Sequence, residues 1–430
     1  MKTPIHTFLE NYAQSGKVRC HMPGGKGRNN PFDITEIHGA DSLYECDGII
    51  YDSEQNAAKL FGSGATLYSC GGSTLCVQTM LGVIRETTGK TTIIAGRYSH
   101  KSLINTAIML GFDIKWAYPE EYLSAVISPD EIEKLIDSSV AAVFMTSIDY
   151  YGGEADIPAI SRVCKKHNIP LLVDNAHGAY RVFTKNHPVL QGADMTADSA
   201  HKTLPALTGA AYLHIGSSIC YRTAKSVMNM FGSSSPSYLI LDSLDLCNPF
   251  IEGHVAGAVG AVHSIAVLKG WLTDIGYTLK KSDPMRITID AAAYGYNGNE
   301  FAQLLREKGT ECEMSDERYV ILLFSVSQNR TDCMMLFMML RSIPKKNPCR
   351  TMSHVLLRPE KVLSPRDAFL APKKKVLLTA AKGKICGEVL CPCPPCIPLV
   401  MPGEIIDEDC VKELQKYGGN SGFKEISVVE

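Results

Sequence analysis

The sequence carries no excess of either charge, no low-complexity tract, no internal repeat and no long apolar run. Lys and Arg number 43 against 45 Asp and Glu, a net charge of −2. With no long basic stripe either, the electrostatic footprint of a nucleic-acid-binding surface is missing, and no nucleic-acid partner is expected. The opening residues Met1 to Glu10 lack the apolar centre of a signal peptide. No uninterrupted apolar run reaches bilayer length, so no membrane association is expected. Cysteine is plentiful, but its number, 15, is odd, and the residues are scattered, mostly inside apolar segments such as Ile219-Cys220-Tyr221. That argues against a disulfide framework and for buried thiols in a reducing, cytoplasmic compartment.

What is present is the composition of a globular protein, 45% hydrophobic and 20% charged over 430 residues, enough for two domains or three. Short apolar runs at 65–70, 91–96, 114–118, 140–146 and 170–174 alternate with helical stretches at 73–85, 102–110, 129–137 and 158–167. This α/β alternation predicts a largely parallel sheet between helices. A helical region at about 253–276 leads to a different texture, with strands at 285–290 and 319–327 and helices at 299–308 and 331–343. The expected division is a large domain over 1–280, with an N-terminal arm, and a smaller α+β domain over 281–430.

Ionisable and hydroxyl residues gather just past the strand ends: Ser73 and Thr74, His100, Asp174 and His177, and the run Ser199-Ala200-His201-Lys202. Open α/β sheets bind ligands outside the carboxyl ends of their strands, so four such exits mark a candidate site. Gly71-Gly72-Ser73-Thr74 at a strand-to-helix turn has the open amides, hydroxyls and helix dipole that a phosphate needs, although Gly-Ser turns are common. Lys202 sits among Ser, His and Thr, where an amine whose pKa is lowered can attack a carbonyl. Each residue also has a plainer reading. Asp174 could cap a helix, His100 and His177 could be loop or core histidines, and Lys373-Lys374-Lys375 reads as a solvated run. His38 and His254 stay unassigned. Cys391, Cys393 and Cys396 have a spacing possible for zinc, but no fourth ligand is evident and prolines dominate the segment. They read as structural or incidental thiols, and no metal is expected.

Taken together the motifs resemble the Orn/Lys/Arg decarboxylases, pyridoxal-phosphate enzymes of the aspartate-aminotransferase fold (fold type I). The short bacterial form that lacks an amino-terminal wing domain, often an arginine decarboxylase, is the most similar. The resemblance runs over nearly the whole chain. It is carried by His21-x-Pro23-Gly24-x-Lys26-Gly27, Gly72-Ser73-Thr74, His100-Lys101-Ser102, Asp174-x-Ala176-His177-Gly178-Ala179, Ser199-x-His201-Lys202-Thr203-Leu204-Pro205, Ser235-Pro236-Ser237-Tyr238, Pro394-Pro395-x-Ile397-Pro398 and Pro402-Gly403-Glu404.

The resemblance implies that Lys202 forms the Schiff base with pyridoxal 5′-phosphate and that Asp174 pairs with the pyridine nitrogen. It implies that His100 stacks on the ring and that His177 fixes Asp174 or a ring substituent. Gly72, Ser73, Thr74, Ser199 and His201 would hold the phosphate, helped by Ser233 or Ser234 of a neighbouring subunit. The site would then lie at the interface of a homodimer or larger homo-oligomer. Lys202 or His201 would return a proton after loss of CO2. The substrate would be arginine, lysine or ornithine, with arginine slightly favoured, and the product a polyamine or its precursor.

Departures from the family pattern are Gly25 for a usual His, Asn175 for a common Glu, Ala200 for a Thr, Ser or Ile, and Cys393 and Cys396 for Tyr and Gly. The last two border the presumed substrate region, so they bear on substrate identity. Glu404, Asp41 and Glu45 are the acidic residues that could meet a substrate cation. The competing expectations are an aminotransferase or other lyase on the same fold, for which no arginine clamp can be located, and a non-catalytic homologue.

Overall fold

The computed structural model describes residues 1–351, 354–392, 396–417 and 423–430. It divides into two compact units. Unit 1 comprises Met1–Thr88, Ile157–Ala261 and Ser325–Ser327; unit 2 comprises Gly89–Asp156, Val262–Phe324 and Gln328–Glu430. Unit 1 holds the strands β1 (Ala65–Ser69), β5 (Leu171–Asp174), β6 (Met195–Asp198) and β7 (Ala211–Ile215), and unit 2 holds β2 (Thr92–Gly96), β3 (Asp113–Ala117) and β4 (Val140–Thr146), with parallel pairing in each unit. The α/β expectation holds.

In unit 1 the strand order is β1-β7-β6-β5. β5 and β6 run parallel, with Asp174 opposite Ala197, while β7 is antiparallel to both β6 and β1. All four strands are buried along their whole length, which is why β1, β5 and β7 read as runs without alternation, while β6 buries Thr196 and Asp198 among them. Helix α1 (Pro4–Gln14) buries Ile5 and Leu9, and α2 (Gly48–Phe61) buries Ile50, Ala57 and Phe61 before Gly62 ends it in a left-handed turn. Helix α3 (Gly72–Thr88) buries Leu75, Met80, Leu81 and Ile84. Its start at Gly72 puts the amino end of a long helix beside the exit of β1.

In unit 2 β2 lies between β4 and β3, parallel to both. Helix α4 (Lys101–Leu110) follows β2. A separate antiparallel sheet contains Arg286–Asp290 and Tyr319–Leu323, and Lys373–Leu377 pairs with Glu425–Val429. The α+β texture expected beyond residue 285 is present. Arg97, fully buried at the end of β2, donates from both terminal nitrogens to Glu404, at 2.5 and 3.0 Å, and from one of them to the Leu399 carbonyl at 2.9 Å. Gly403 beside it has φ +91°, and a Cβ there would stand 2.3 Å from the Leu363 carbonyl oxygen, so only glycine fits. Glu404 is therefore committed to Arg97, and the expectation that it could meet a substrate cation is corrected. Asp41 accepts the Ser42 and Ile50 amides, at 2.6 and 2.8 Å.

The helical region expected at about 253–276 is present, and a helix not foreseen precedes it. Residues 238–253 are helical up to Gly253 despite Pro249, and a second helix, Val255–Asp274, follows at once. That second helix is long and apolar enough to cross a membrane by length and composition, and the expectation that no uninterrupted apolar run reaches that length stands beside it. The expectation counted only uninterrupted apolar residues, and His263 and Lys269 interrupt this one. Lys269 donates to the Asp283 carbonyl at 2.9 Å, so the helix carries a cation tied to protein.

Breaking the buried Arg97–Glu404 pair leaves a guanidinium without its counter-charge. Glu404→Ala should lower the unfolding free energy by about 3–5 kcal/mol, read as a shifted urea midpoint; a midpoint within experimental error of wild type would refute this.

Candidate functional site

The polar groups of unit 1 converge where β5 and β6 end. Asp174 is the last residue of β5, and Asp198 the last of β6. Ser199 then opens the short helix Ala200–Thr203, which carries His201 and Lys202. Because β5 and β6 are adjacent and parallel, both exits face the same way, as doubly wound sheets require of a site.

Lys202 Nζ lies 3.0 Å from His177 Nε2. Asp174 Oδ1 accepts the Ala176 amide at 3.1 Å, closing a tight turn, so the carboxylate holds a turn rather than capping a helix. Burial pushes the Asp174 carboxyl up from its ordinary value, while the Lys202 ammonium and the Ala176 amide pull it down. Ser199 Oγ donates to Ser73 Oγ at 3.0 Å. Gly72 donates its amide to the Gly209 carbonyl at 2.9 Å, and His201 Nδ1 lies 2.9 Å from the Ala210 carbonyl. Ser73 and Thr74 belong to the first turn of α3, whose amides have no partner within the helix.

Of the predicted residues, Gly72, Ser73, Thr74, Asp174, His177, Ser199, His201 and Lys202 all belong to unit 1. Ser234 also lies there, exposed in the loop between the helices Tyr221–Phe231 and Tyr238–Gly253. His100 belongs to unit 2, where Nδ1 accepts the Ser102 amide at 3.2 Å and caps α4. Cys393 falls outside the described residues, as do Pro394 and Pro395. Cys396 adopts φ +59°, and its carbonyl accepts the Lys101 amide at 3.0 Å. That left-handed conformation is natural to the glycine usual at this position.

The fit of a phosphorylated, positively charged ring can be judged from these groups. Gly72 has φ +65°, and a Cβ on it would meet nothing within 4 Å, so the cradle at the amino end of α3 is open. Paired hydroxyls and helix amides suit a phosphate, and a buried carboxylate needs a cationic partner. A lysine amine stands beside a histidine. The donor set fits pyridoxal 5′-phosphate.

Sequence reasoning missed a second polar cluster behind these groups. His187 Nε2 lies 2.7 Å from Asp198 Oδ2, and Asn175 Nδ2 donates to Asp198 Oδ1 at 2.9 Å. His214 Nδ1 lies 2.8 Å from Thr66 Oγ1, while its buried Nε2 has no hydrogen-bond partner and sits 3.7 Å from Asp198 Oδ2. Burial works to raise the Asp198 carboxyl, but the facing His187 and His214 outweigh it and hold it below the usual carboxylate range. Burial lowers the His214 imidazole from 6.5 to about 4. The only sequence signal for this cluster was the position of Asp198 immediately before Ser199.

The sign of the resulting acid effect follows directly. Below pH 6.5 the unfolded chain binds a proton at His214 that the folded chain refuses until about pH 4. Stability should be full above pH 6.5 and fall by about 3 kcal/mol on the way to pH 4. The depressed carboxyl of Asp198 adds a loss of the same sign below its ordinary range. Thermal melts from pH 7.5 to 4.5 should show a falling Tm, with a shallower slope in His214→Gln; equal slopes would contradict the assignment.

Comparison with known proteins bears on the same residues. Residues 3–261 match the family model of the Orn/Lys/Arg decarboxylase major domain, and 349–417 that of its C-terminal domain. The arginine decarboxylase of Bacillus subtilis (strain 168) is 27% identical over 96% of this chain and 93% of its own length. The constitutive lysine decarboxylase of Escherichia coli (strain K12) is 21% identical over 95% of this chain and 73% of its own. The crystal structure of the Francisella novicida lysine decarboxylase LdcF matches with a TM-score of 0.78 at 17% identity, covering 100% of this chain and 81% of that one, a likeness of fold.

Proposed function

Because the chain belongs to the Orn/Lys/Arg decarboxylase family, a group of pyridoxal-phosphate-dependent amino-acid decarboxylases, we propose that it removes the α-carboxyl group of arginine and so supplies a polyamine precursor. Lysine and ornithine are the alternative substrates. The observation that carries the site assignment is the meeting of Lys202 with His177, next to the buried carboxyl of Asp174 and the Ser73–Ser199 hydroxyl pair. The family match favours this reading over an aminotransferase or other lyase, and the retention of Lys202 and Asp174 favours it over a homologue without activity.

The bound cofactor supplies the electron sink that accepts the electrons left when CO2 departs. Lys202 would hold the cofactor through its side-chain amine. Asp174, buried and facing the Lys202 amine, would pair with the ring nitrogen and keep it protonated, a stabilisation strongest when charge builds up in the transition state. His177, in reach of Lys202 Nζ, orients that amine, and His100 covers the ring. Gly72, Ser73, Thr74, Ser199 and His201 bind the phosphate. His201 or Lys202 returns the proton to Cα.

The working form is a homodimer or larger homo-oligomer, with Ser233 or Ser234 of one subunit reaching the phosphate of the other; their exposure supports this. The protein acts in the cytoplasm, a reading supported by the free thiols of buried cysteines such as Cys76, Cys164 and Cys247. The division into a cofactor-binding domain over 1–280 and a small domain over 281–430 is part of the same proposal.

The test combines the purified protein with pyridoxal phosphate, and then with arginine, lysine or ornithine separately. An absorbance band near the visible edge should form and be absent from Lys202→Ala, with CO2 released from arginine. CO2 from lysine or ornithine alone would change the substrate. A band with no CO2 from any of the three would refute the decarboxylation reading. Asp174→Asn should bind the cofactor but lower kcat by about a thousandfold, since it removes the charge opposite the ring nitrogen; a change under tenfold would remove Asp174 from its role.

A further inference from the structure

The cluster around Asp198 joins the two strand ends that carry the site. Asn175, the residue after Asp174, donates its amide to the Ala197 carbonyl at 2.9 Å and its side chain to Asp198 Oδ1 at 2.9 Å. Asp198 in turn immediately precedes Ser199. His187 closes the other side of the carboxylate, and Phe61 packs against both His187 and His214, with ring centroids 5.2 and 4.1 Å away. Asp198, Asn175, His187 and His214 all have zero solvent exposure.

A carboxylate, two imidazoles and an amide in a dry interior are an expensive way to stabilise a fold, since apolar side chains of equal volume do as well or better. Their placement between Asp174 and Lys202 has a chemical consequence instead. We propose that Asp198 is a positioning residue for the cofactor site: through Asn175 and Ser199 it fixes Asp174 and the Lys202 turn relative to each other, and its permanent negative charge favours protonation of the groups that Asp174 and Lys202 face. This rests on the reading of Lys202 as the cofactor lysine. The charged and titratable groups facing this charge are Asp174, His187, His214, Tyr212 and Cys76, with Lys202 acting through Asp174.

The same three side chains, His187, Asp198 and His214, offer ligand atoms within 4.8 Å of one another, a set that zinc can use. The hydrogen bonds favour a proton. His187 Nδ1 accepts the Val189 amide at 3.3 Å, so the ring proton sits on Nε2 and is directed at Asp198 Oδ2, where a metal would have to displace it.

Holoenzyme carrying Asp198→Asn tests the proposal. The Lys202-dependent absorbance band should persist, and the midpoint of its pH titration should fall by about half a unit or more, because a nearby negative charge has gone. The kcat should drop by about tenfold or more with KM changed less than about threefold. Asn175→Ala cuts the tie and keeps the charge, and should lower kcat with a smaller shift of the midpoint. Unchanged midpoint and kcat in either folded variant would overturn the proposal. So would failure of both variants to fold, which would make the cluster a determinant of the fold alone. A stoichiometric divalent metal in the wild-type protein, lost on Asp198→Asn, would also overturn it. Wild-type protein with no band, or a band that survives Lys202→Ala, would instead bring down the cofactor reading.

Discussion

A carboxylate cut off from water must be met by N–H donors or by a cation, or it gives up its charge. Unit 1 contains two such carboxylates at the ends of neighbouring parallel strands, and they are treated differently. Asp198 is met from two sides, by His187 and Asn175, and stays anionic. Asp174 receives one backbone amide and has its pKa raised by burial. One carboxylate is satisfied by protein, while the other is left with capacity to bind. That difference, set by parallel pairing of β5 and β6, is what turns a sheet edge into a site.

The phosphate cradle depends on a separate constraint. A helix must begin where the chain leaves β1, and Gly72 with positive φ makes that turn possible while leaving the space above it empty. Ser73 and Ser199 come from different strand exits, yet their hydroxyls are 3.0 Å apart. A tetrahedral anion can therefore be gripped by two segments whose relative position the sheet already defines. In unit 2 the bidentate Arg97–Glu404 contact does comparable work, tying the Pro402-Gly403-Glu404 turn to the end of β2 just ahead of His100.

The parts legible in the sequence were those with a local signature. The buried strands betrayed themselves as apolar runs, so β4 at Val140–Thr146 was placed to the residue. The chemistry proposed for Lys202, Asp174 and Gly72-Ser73-Thr74 rests on residue type and motif order, which the sequence displays directly. β6, Met195–Asp198, was not foreseen, because four residues containing Thr and Asp make no apolar run. The helix ending at Gly253 was hidden by Pro249, whereas Val255–Asp274 was legible as a helical region at about 253–276. Glu404 was open to misreading for another reason: its partner Arg97 lies 307 residues away, and no periodicity links the two.

The Asp198 cluster shows the limit most clearly. Its members stand at 175, 187, 198 and 214, on a turn, a loop and two strands, and none belongs to a motif that announces chemistry. Asn175 was visible only as a departure from a common Glu. In the folded chain that departure has a physical sense. A glutamate there would bring a second carboxylate to Asp198 in a site without water, whereas the amide donates a hydrogen bond and adds no charge. A substitution that looks neutral beside the family pattern thus decides how many negative charges lie beneath Asp174 and Lys202, and it does so from the position next to Asp174 with its side chain turned to Asp198.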